Sequence, residues 1–203
     1  MNAGKLNELS EENVTYVFGP VPSRRLGKSL GIDLVPLKTC PYNCIFCQLG
    51  QTTNRTICRK PYVSGKAVVR QFEEKLSSLS PKPDYITFSG SGEPTLNSEL
   101  GWVIEQINQL TKIPIAVLTN GSLLHLEDVR RALRKANLVI PSLDAGNAQL
   151  FGNGVADGAK VGQHQGVRPE RGVHERVDQG LGHPLYRLFK AMQKGYRTCA
   201  GLD

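Results

Sequence analysis

No stretch of this 203-residue chain approaches the roughly 20 consecutive apolar residues of a membrane-spanning helix. Residues 1–13 are polar and mixed in charge, without the hydrophobic segment of a secretory leader. These two absences lead to the expectation of a cytoplasmic protein whose thiols stay reduced. Histidine is scarce. The four, His125, His164, His174 and His183, all lie far along the chain from the main group of cysteines. The five cysteines are odd in number and crowded, in a chain longer than the small secreted scaffolds that disulfides hold together, which argues against a disulfide framework.

What the chain does contain is Cys40-Pro41-Tyr42-Asn43-Cys44-Ile45-Phe46-Cys47, a C-x3-C-x2-C spacing behind the apolar run Gly31-Ile32-Asp33-Leu34-Val35. Three thiolates so close together can wrap one metal centre, and soft sulfur ligands suit iron–sulfur clusters or zinc. A four-cornered cluster held by three cysteines keeps one iron open to a non-protein ligand. Phe46 could shield such a centre from water. A structural zinc site usually closes with four protein ligands, and Cys58 is the nearest candidate for a fourth. The alternatives at this point are a cluster, a zinc site and inert buried thiols.

Hydrophobic residues make up 39% and charged residues 21% of the chain, a soluble balance with substance for one domain. The net charge of +7 permits a polyanionic partner without establishing one. Local basic clusters are Arg24-Arg25-Leu26-Gly27-Lys28 and Arg55 through Lys60. A solvated basic face accounts for them, as does contact with nucleic acid or with the anionic ends of a small substrate.

From residue 31 onward, short β-rich runs alternate with amphipathic segments, and strands are expected at about 31–37, 84–88, 113–118 and 137–143. Val68, Phe72, Leu76 and Leu79 recur at helical spacing behind Ser64 as N-cap; Leu100, Val103, Ile104, Ile107 and Leu110 do so after a start at Asn97 or Ser98. Leu126, Val129, Leu133 and Ala136 mark a third helix. The alternation predicts βαβ units and a parallel sheet. Each strand is followed by a polar segment: the cysteine loop, Ser89-Gly90-Ser91-Gly92-Glu93-Pro94-Thr95, Thr119-Asn120-Gly121-Ser122 and Ser142-Leu143-Asp144-Ala145-Gly146. In parallel α/β folds these segments meet on one rim, where sites are built. Thr119 and Asn120 either line that site or cap the third helix. Asp144 either accepts hydrogen bonds from a diol or is an ordinary turn residue.

The cysteine spacing resembles the radical S-adenosylmethionine (SAM) superfamily. That resemblance implies a [4Fe-4S] cluster on Cys40, Cys44 and Cys47, with SAM chelating the fourth iron. Ser91-Gly92-Glu93 resembles the superfamily's Gly-Gly-Glu element, which binds the amino group of SAM; Ser91 stands where the first glycine would be. Relatives often place ribose-binding groups where Ser142 and Asp144 stand, and Asn120 is a further candidate contact. Val17 through Gly27 and Gly31 through Pro36 look like the bacterial and archaeal iron–sulfur oxidoreductases grouped with wyosine-type tRNA-modifying enzymes. The implied activity is reductive cleavage of SAM to a 5′-deoxyadenosyl radical, driven by a donor such as flavodoxin or ferredoxin. The substrate is unknown, with a tRNA base among the candidates. The rival class is a non-catalytic iron–sulfur or zinc protein using Cys58 as well, or an inactive fragment of such an enzyme.

The implied fold is α/β, an incomplete (β/α) partial TIM-type barrel with about four parallel strands. Its core would span 17–151, behind an N-terminal extension at 1–16. Residues 152–184 break the pattern, with eight glycines, one leucine, and no Ile, Phe, Tyr or Trp in 33 residues. Such a stretch buries too little to offset the entropy of ordering it. The segment 152–203 is therefore expected to be atypical, a natural truncation or a frameshift, with a short helix at 185–194.

Overall fold

The computed structural model describes residues 14–142 and Asp144. Its main sheet has five strands in the order β1-β2-β5-β6-β7. The elements are β1 (Val17–Ser23), β2 (Gly27–Ile32), β3 (Thr39–Cys40), β4 (Asn54–Arg55) and α1 (Gly65–Ser78), then β5 (Tyr85–Phe88) and α2 (Leu100–Leu110). β6 (Ile115–Thr119), α3 (Glu127–Leu133) and β7 (Leu138–Pro141) complete them. The strands β2, β5, β6 and β7 are mutually parallel and follow chain order, as the alternating pattern predicts.

β1 is an addition that hydrophobic alternation did not reveal. It pairs antiparallel with β2, Val17 opposite Ile32 and Ser23 opposite Gly27, with an irregularity between Phe18 and Val21. Pro20, Pro22 and Gly19 disguise the run as loop, since proline is tolerated only at strand edges and bulges. The ring of Phe18 lies over Gly31, where a Cβ would stand 2.2 Å from it. A larger residue there must displace that ring.

The first parallel strand runs Gly27–Ile32, beginning four residues before the expected start at 31 and ending five short of 37. Asp33 stops it. Its backbone N–H turns to Tyr16 O, and its Oδ1 accepts the Val35 N–H at 3.3 Å, an Asx-type local turn. Leu34 and Val35 stay buried in the core without joining the ladder. β7 covers Leu138–Pro141 of the expected 137–143, and Leu143 lies outside the described residues.

The three helices pack on one face of the sheet, with α2 beside both α1 and α3. Leu30, Ile32, Ile86, Phe88, Ile115, Val117 and Val139 from the strands meet Val68, Phe72, Val103, Ile104, Ile107, Val129 and Leu133 from the helices. Burying each large side chain contributes about 1.5–3 kcal/mol, so this layer carries the stability of the fold. Ser64 is the N-cap residue of α1 but makes no side-chain capping bond. The Gly65 N–H is taken instead by Glu99 Oε2 at 2.6 Å, from the start of α2. Asn97, expected to start α2, accepts the Glu99 N–H and donates to Leu34 O and Val63 O. One amide thus fastens a helix start to two loops.

Residues 152–203, including the expected helix at 185–194, lie outside the described residues. No described helix is long and apolar enough to cross a membrane.

Candidate functional site

The loops after β2, β5, β6 and β7 converge around a cavity of about 260 Å³, near the lower end of the roughly 300–1,000 Å³ of small-molecule sites. Every candidate from the sequence lines it: Cys40, Cys44 and Cys47; Ser91, Gly92 and Glu93; Asn120; Ser142 and Asp144. Lys38, Tyr42 and Thr52 line it too, and the motifs did not single them out. Cys58 is not among the lining residues.

The cysteine loop is shaped by a small parallel pair, β3 with β4, Cys40 opposite Arg55. Thr52 closes the loop a second time, through its N–H to Asn43 Oδ1 at 2.7 Å and its hydroxyl to Tyr42 O at 2.6 Å. The three thiols are free and half-buried. Tyr42 is the aromatic buried here, 2% exposed, while Phe46 lines the cavity mouth at 44% exposure.

Burial pushes the Cys40 thiol up to about 11, with Glu93 and Cys47 nearby adding to the shift and bonds from Tyr42 and Asn120 opposing it. Desolvation, reinforced by Cys40, Asp144 and Cys47, pushes Cys44 up to about 12. Thiols crowded in this way stay protonated until a metal cation displaces their protons, which are released to solvent.

The turn after β5 is joined edge-on to the cysteine loop. Lys38 N–H donates to Ser91 O at 2.7 Å and Glu93 N–H to Thr39 O at 3.1 Å. At Gly92 a Cβ would lie 2.0 Å from Thr39 O, so only glycine permits the approach. Gly90 holds φ +144 against Asp33, whose Oδ2 accepts the Ser91 N–H at 2.9 Å. Asp33 therefore both ends β2 and positions this turn.

Glu93 is 2% exposed. Its Oε1 accepts from Thr95 N–H, Thr95 Oγ1 and Thr119 Oγ1 at 3.2, 2.5 and 2.6 Å, and its Oε2 accepts Asn120 N–H at 2.7 Å. Desolvation raises its carboxyl above the ordinary range, and these hydrogen bonds pull it back. The side chain ties the β5 loop to the β6 loop. Thr119 and Asn120 belong to that tie and do not cap α3, which starts six residues beyond Gly121 at Glu127. The Asn120 amide points instead at Cys40, Nδ2 to Sγ 3.2 Å.

Ser142 N–H continues the ladder to Thr119 O at 2.9 Å. Asp144 is exposed by surface area, yet its crowded position on the rim raises its carboxyl through desolvation.

The second basic cluster is largely structural. Arg55 Nε donates to Pro41 O, and Arg59 donates to Thr95 O and Asn97 O and pairs with Asp128. Lys60 stands over the Tyr62 ring, 5.0 Å from its centre. Their donors brace the loops around the site.

Among the described residues no three or more His, Cys, Asp and Glu side chains converge as the ligands of one metal ion. A single zinc needs its thiolates within roughly 4.6 Å of one another, twice the Zn–S bond. An iron–sulfur cubane instead takes each thiolate on a different iron, so its cysteines line a cavity rather than meet at a point. Three free thiols lining one cavity are a soft donor set of the kind an iron–sulfur cubane takes.

The profile of the radical SAM superfamily matches residues 34–155. A UPF0026 protein of Methanocaldococcus jannaschii is 43% identical over 139 residues, 68% of this chain and 43% of that protein. A UPF0026 protein of Helicobacter pylori J99 is 38% identical over 146 residues, 70% of this chain and 47% of its own length. A protein named GTPase Obg from Brachyspira hyodysenteriae is 52% identical over 135 residues, 66% of this chain but 20% of that protein. The chain thus spans half or less of the length of these relatives. With the profile covering more than half of the sequence, and with the cysteine loop inside it, the chain belongs to the radical SAM superfamily.

Proposed function

We propose that this chain is the cluster-binding part of a radical SAM enzyme. Cys40, Cys44 and Cys47 would hold a [4Fe-4S] cluster, with SAM as its non-protein ligand. The observation that carries the reading is the meeting of three free thiols with the Ser91-Gly92-Glu93 turn around one cavity. When bound, the reduced cluster with SAM supplies a 5′-deoxyadenosyl radical that abstracts a substrate hydrogen.

The protein's own residues bind and orient. Glu93 Oε2 accepts one hydrogen bond, from Asn120, and keeps a second acceptor position for the ammonium of SAM. Ser91 and Gly92 offer backbone groups beside it. Asn120, Ser142 and Asp144 face the same cavity as contacts for the ribose and its neighbours. Tyr42 and Phe46 keep water from the sulfurs.

In this reading β2, β5, β6 and β7 are the first strands of an incomplete (β/α) barrel of TIM type. The domain division is 1–16, 17–151 and 152–203. The protein is cytoplasmic, its reductant a flavodoxin or ferredoxin, and its substrate open, an RNA base being one candidate.

The test is anaerobic reconstitution with iron and sulfide. About four irons per chain are expected, together with a change in the reduced cluster's EPR signal on adding SAM. Zinc uptake without sulfide, or loss of the metal in Cys58→Ala, would show a closed four-cysteine site instead. A cluster whose spectrum ignores SAM would be an electron carrier's.

A further inference from the structure

Lys38 is out of place for a lysine. It is 6% exposed, it is the one non-glycine residue with positive φ among the described residues, at +60°, and it sits two residues before the first cysteine. A lysine bent into the left-handed region and drawn out of water is costly twice over. Its backbone is held on both sides, N–H to Ser91 O at 2.7 Å and C=O from Asn54 N–H at 3.1 Å. Its ammonium reaches Cys47 Sγ at 3.4 Å and also donates to Gly50 O. Among the described residues no Asp or Glu pairs with it. The ammonium is therefore set against the thiol that becomes anionic when the cysteine loop binds a centre.

We propose that Lys38 is a positioning residue for the cluster loop whose buried ammonium, set against Cys47 Sγ, favours the electron-rich state of the centre those thiolates hold. The inference rests on the cluster reading above. A [4Fe-4S] core with three thiolates carries one net negative charge as isolated and two after accepting an electron from a low-potential donor. No bond in the protein forms or breaks in that step. A fixed positive charge in contact with one of the sulfurs stabilises the doubly negative form more than the singly negative one. An N–H···S bond acts in the same direction, because cluster potentials respond to hydrogen bonds on their sulfurs and to local charge. Asn120, donating to Cys40 Sγ at 3.2 Å, supplies a second, uncharged bond of this kind on the opposite side of the loop. The same ammonium, through Gly50 O, straps the end of the loop back to its beginning.

The decisive measurement is an EPR-monitored reductive titration of reconstituted full-length protein without SAM, so that no contact of Lys38 with that ligand enters. Lys38→Met removes the charge and both bonds, Lys38→Gln removes the charge but keeps an N–H donor, and Lys38→Arg keeps the charge. At a fixed applied potential the ratio of reduced to oxidised cluster should fall about tenfold in Met and Gln, a shift of about 59 mV to lower potential for one electron. Arg should stay near wild type. Met or Gln variants that load four irons and titrate with wild type overturn the proposal. If the neutral variants fail to load while Arg loads, the charge is needed even to hold the cluster, which supports it. If Arg fails as well, Lys38 acts by shape alone and the proposal falls. Failure of wild type to take up iron would instead overturn the cluster reading itself, and is read before any variant.

Discussion

The helix-covered face of the sheet and the rim where its strands end are built on different physics. The face is apolar, and its side chains are almost all inaccessible, Phe72, Ile104 and Ile115 each at 0% exposure. Its cohesion comes from burial, which is tolerant of detail and summed over many residues. The rim is held by directed polar bonds: Thr52 to Tyr42 and Asn43, Lys38 to Gly50, Glu93 to Thr95, Thr119 and Asn120. Its cysteines are only half-buried and make little contribution to the core. The contrast teaches that the site can be emptied without unfolding the scaffold, whereas the scaffold cannot be loosened without moving the site.

The most severe effect should come from the rim and leave the face untouched. Cys40→Ala, Cys44→Ala or Cys47→Ala should each take the iron content from about four per chain to near none, with the urea midpoint of the apoprotein unchanged. A large loss of stability in any of these would show that the cysteine loop is part of the core and would break the comparison.

Cluster loading should also depend on pH. The thiols at about 11 for Cys40 and about 12 for Cys44 lie above their ordinary value of 9.0 and are protonated at neutrality. Iron requires the thiolate, so uptake must release protons and should become faster as pH rises. Between neutrality and the ordinary thiol range the rise should be roughly tenfold per pH unit where one deprotonation limits it. A flat profile would mean that these thiols are already ionised.

The reverse experiment breaks the face. Phe72→Ala empties a fully buried site between α1 and the sheet and should cost about 3–5 kcal/mol in urea unfolding. Iron content at low denaturant should fall with it, since the rim rests on that layer.

Gly92→Ala stands on the boundary of the two regions. Its methyl would press on Thr39 O from 2.0 Å, and the loops must part to admit it, at about 1–3 kcal/mol. Reduced loading should accompany a modest drop in midpoint. Loading at the wild-type level would show that the β5 turn is not positioned by that contact.

The smallest effect belongs to the pair of Arg59 with Asp128, whose acid is 56% exposed. Asp128→Asn should cost under about 1 kcal/mol and vanish at high salt, leaving iron content unchanged. Arg59 keeps its backbone partners Thr95 O and Asn97 O in that variant.

Much of this was legible from local pattern. The helical spacing of Val68, Phe72 and Leu76 and the spacing of Val103, Ile104 and Ile107 located α1 and α2, because periodic burial leaves a periodic trace. The four parallel strands followed in order, and the polar segments behind them did reach a common cavity. The antiparallel β1 did not show, because Pro20 and Pro22 within it mimic a loop. β2 lies earlier than its apolar run suggests, from Gly27 to Ile32, because Leu34 and Val35 are as apolar as a strand while Asp33 withdraws them from the ladder. Ser64 does stand at the N-cap of α1, but the Gly65 N–H goes to Glu99, a partner 34 positions away that local pattern does not show.

Composition and spacing by themselves determined that three thiols sit on one loop, that this loop follows a strand, and that the scaffold is an alternating α/β layer. Those properties depend on residue type and on separation along the chain, and they survive any rearrangement of the rest. The tertiary structure alone decided which groups meet the sulfurs. Asn120 reaches Cys40 across 80 positions, Asp33 reaches Ser91 across 58, and Glu93 reaches Asn120 across 27. Hydrogen bonds of this kind act only over a few tenths of an ångström around 3 Å, so no periodicity in the chain records them, and they exist only once the packed sheet has brought the loops together.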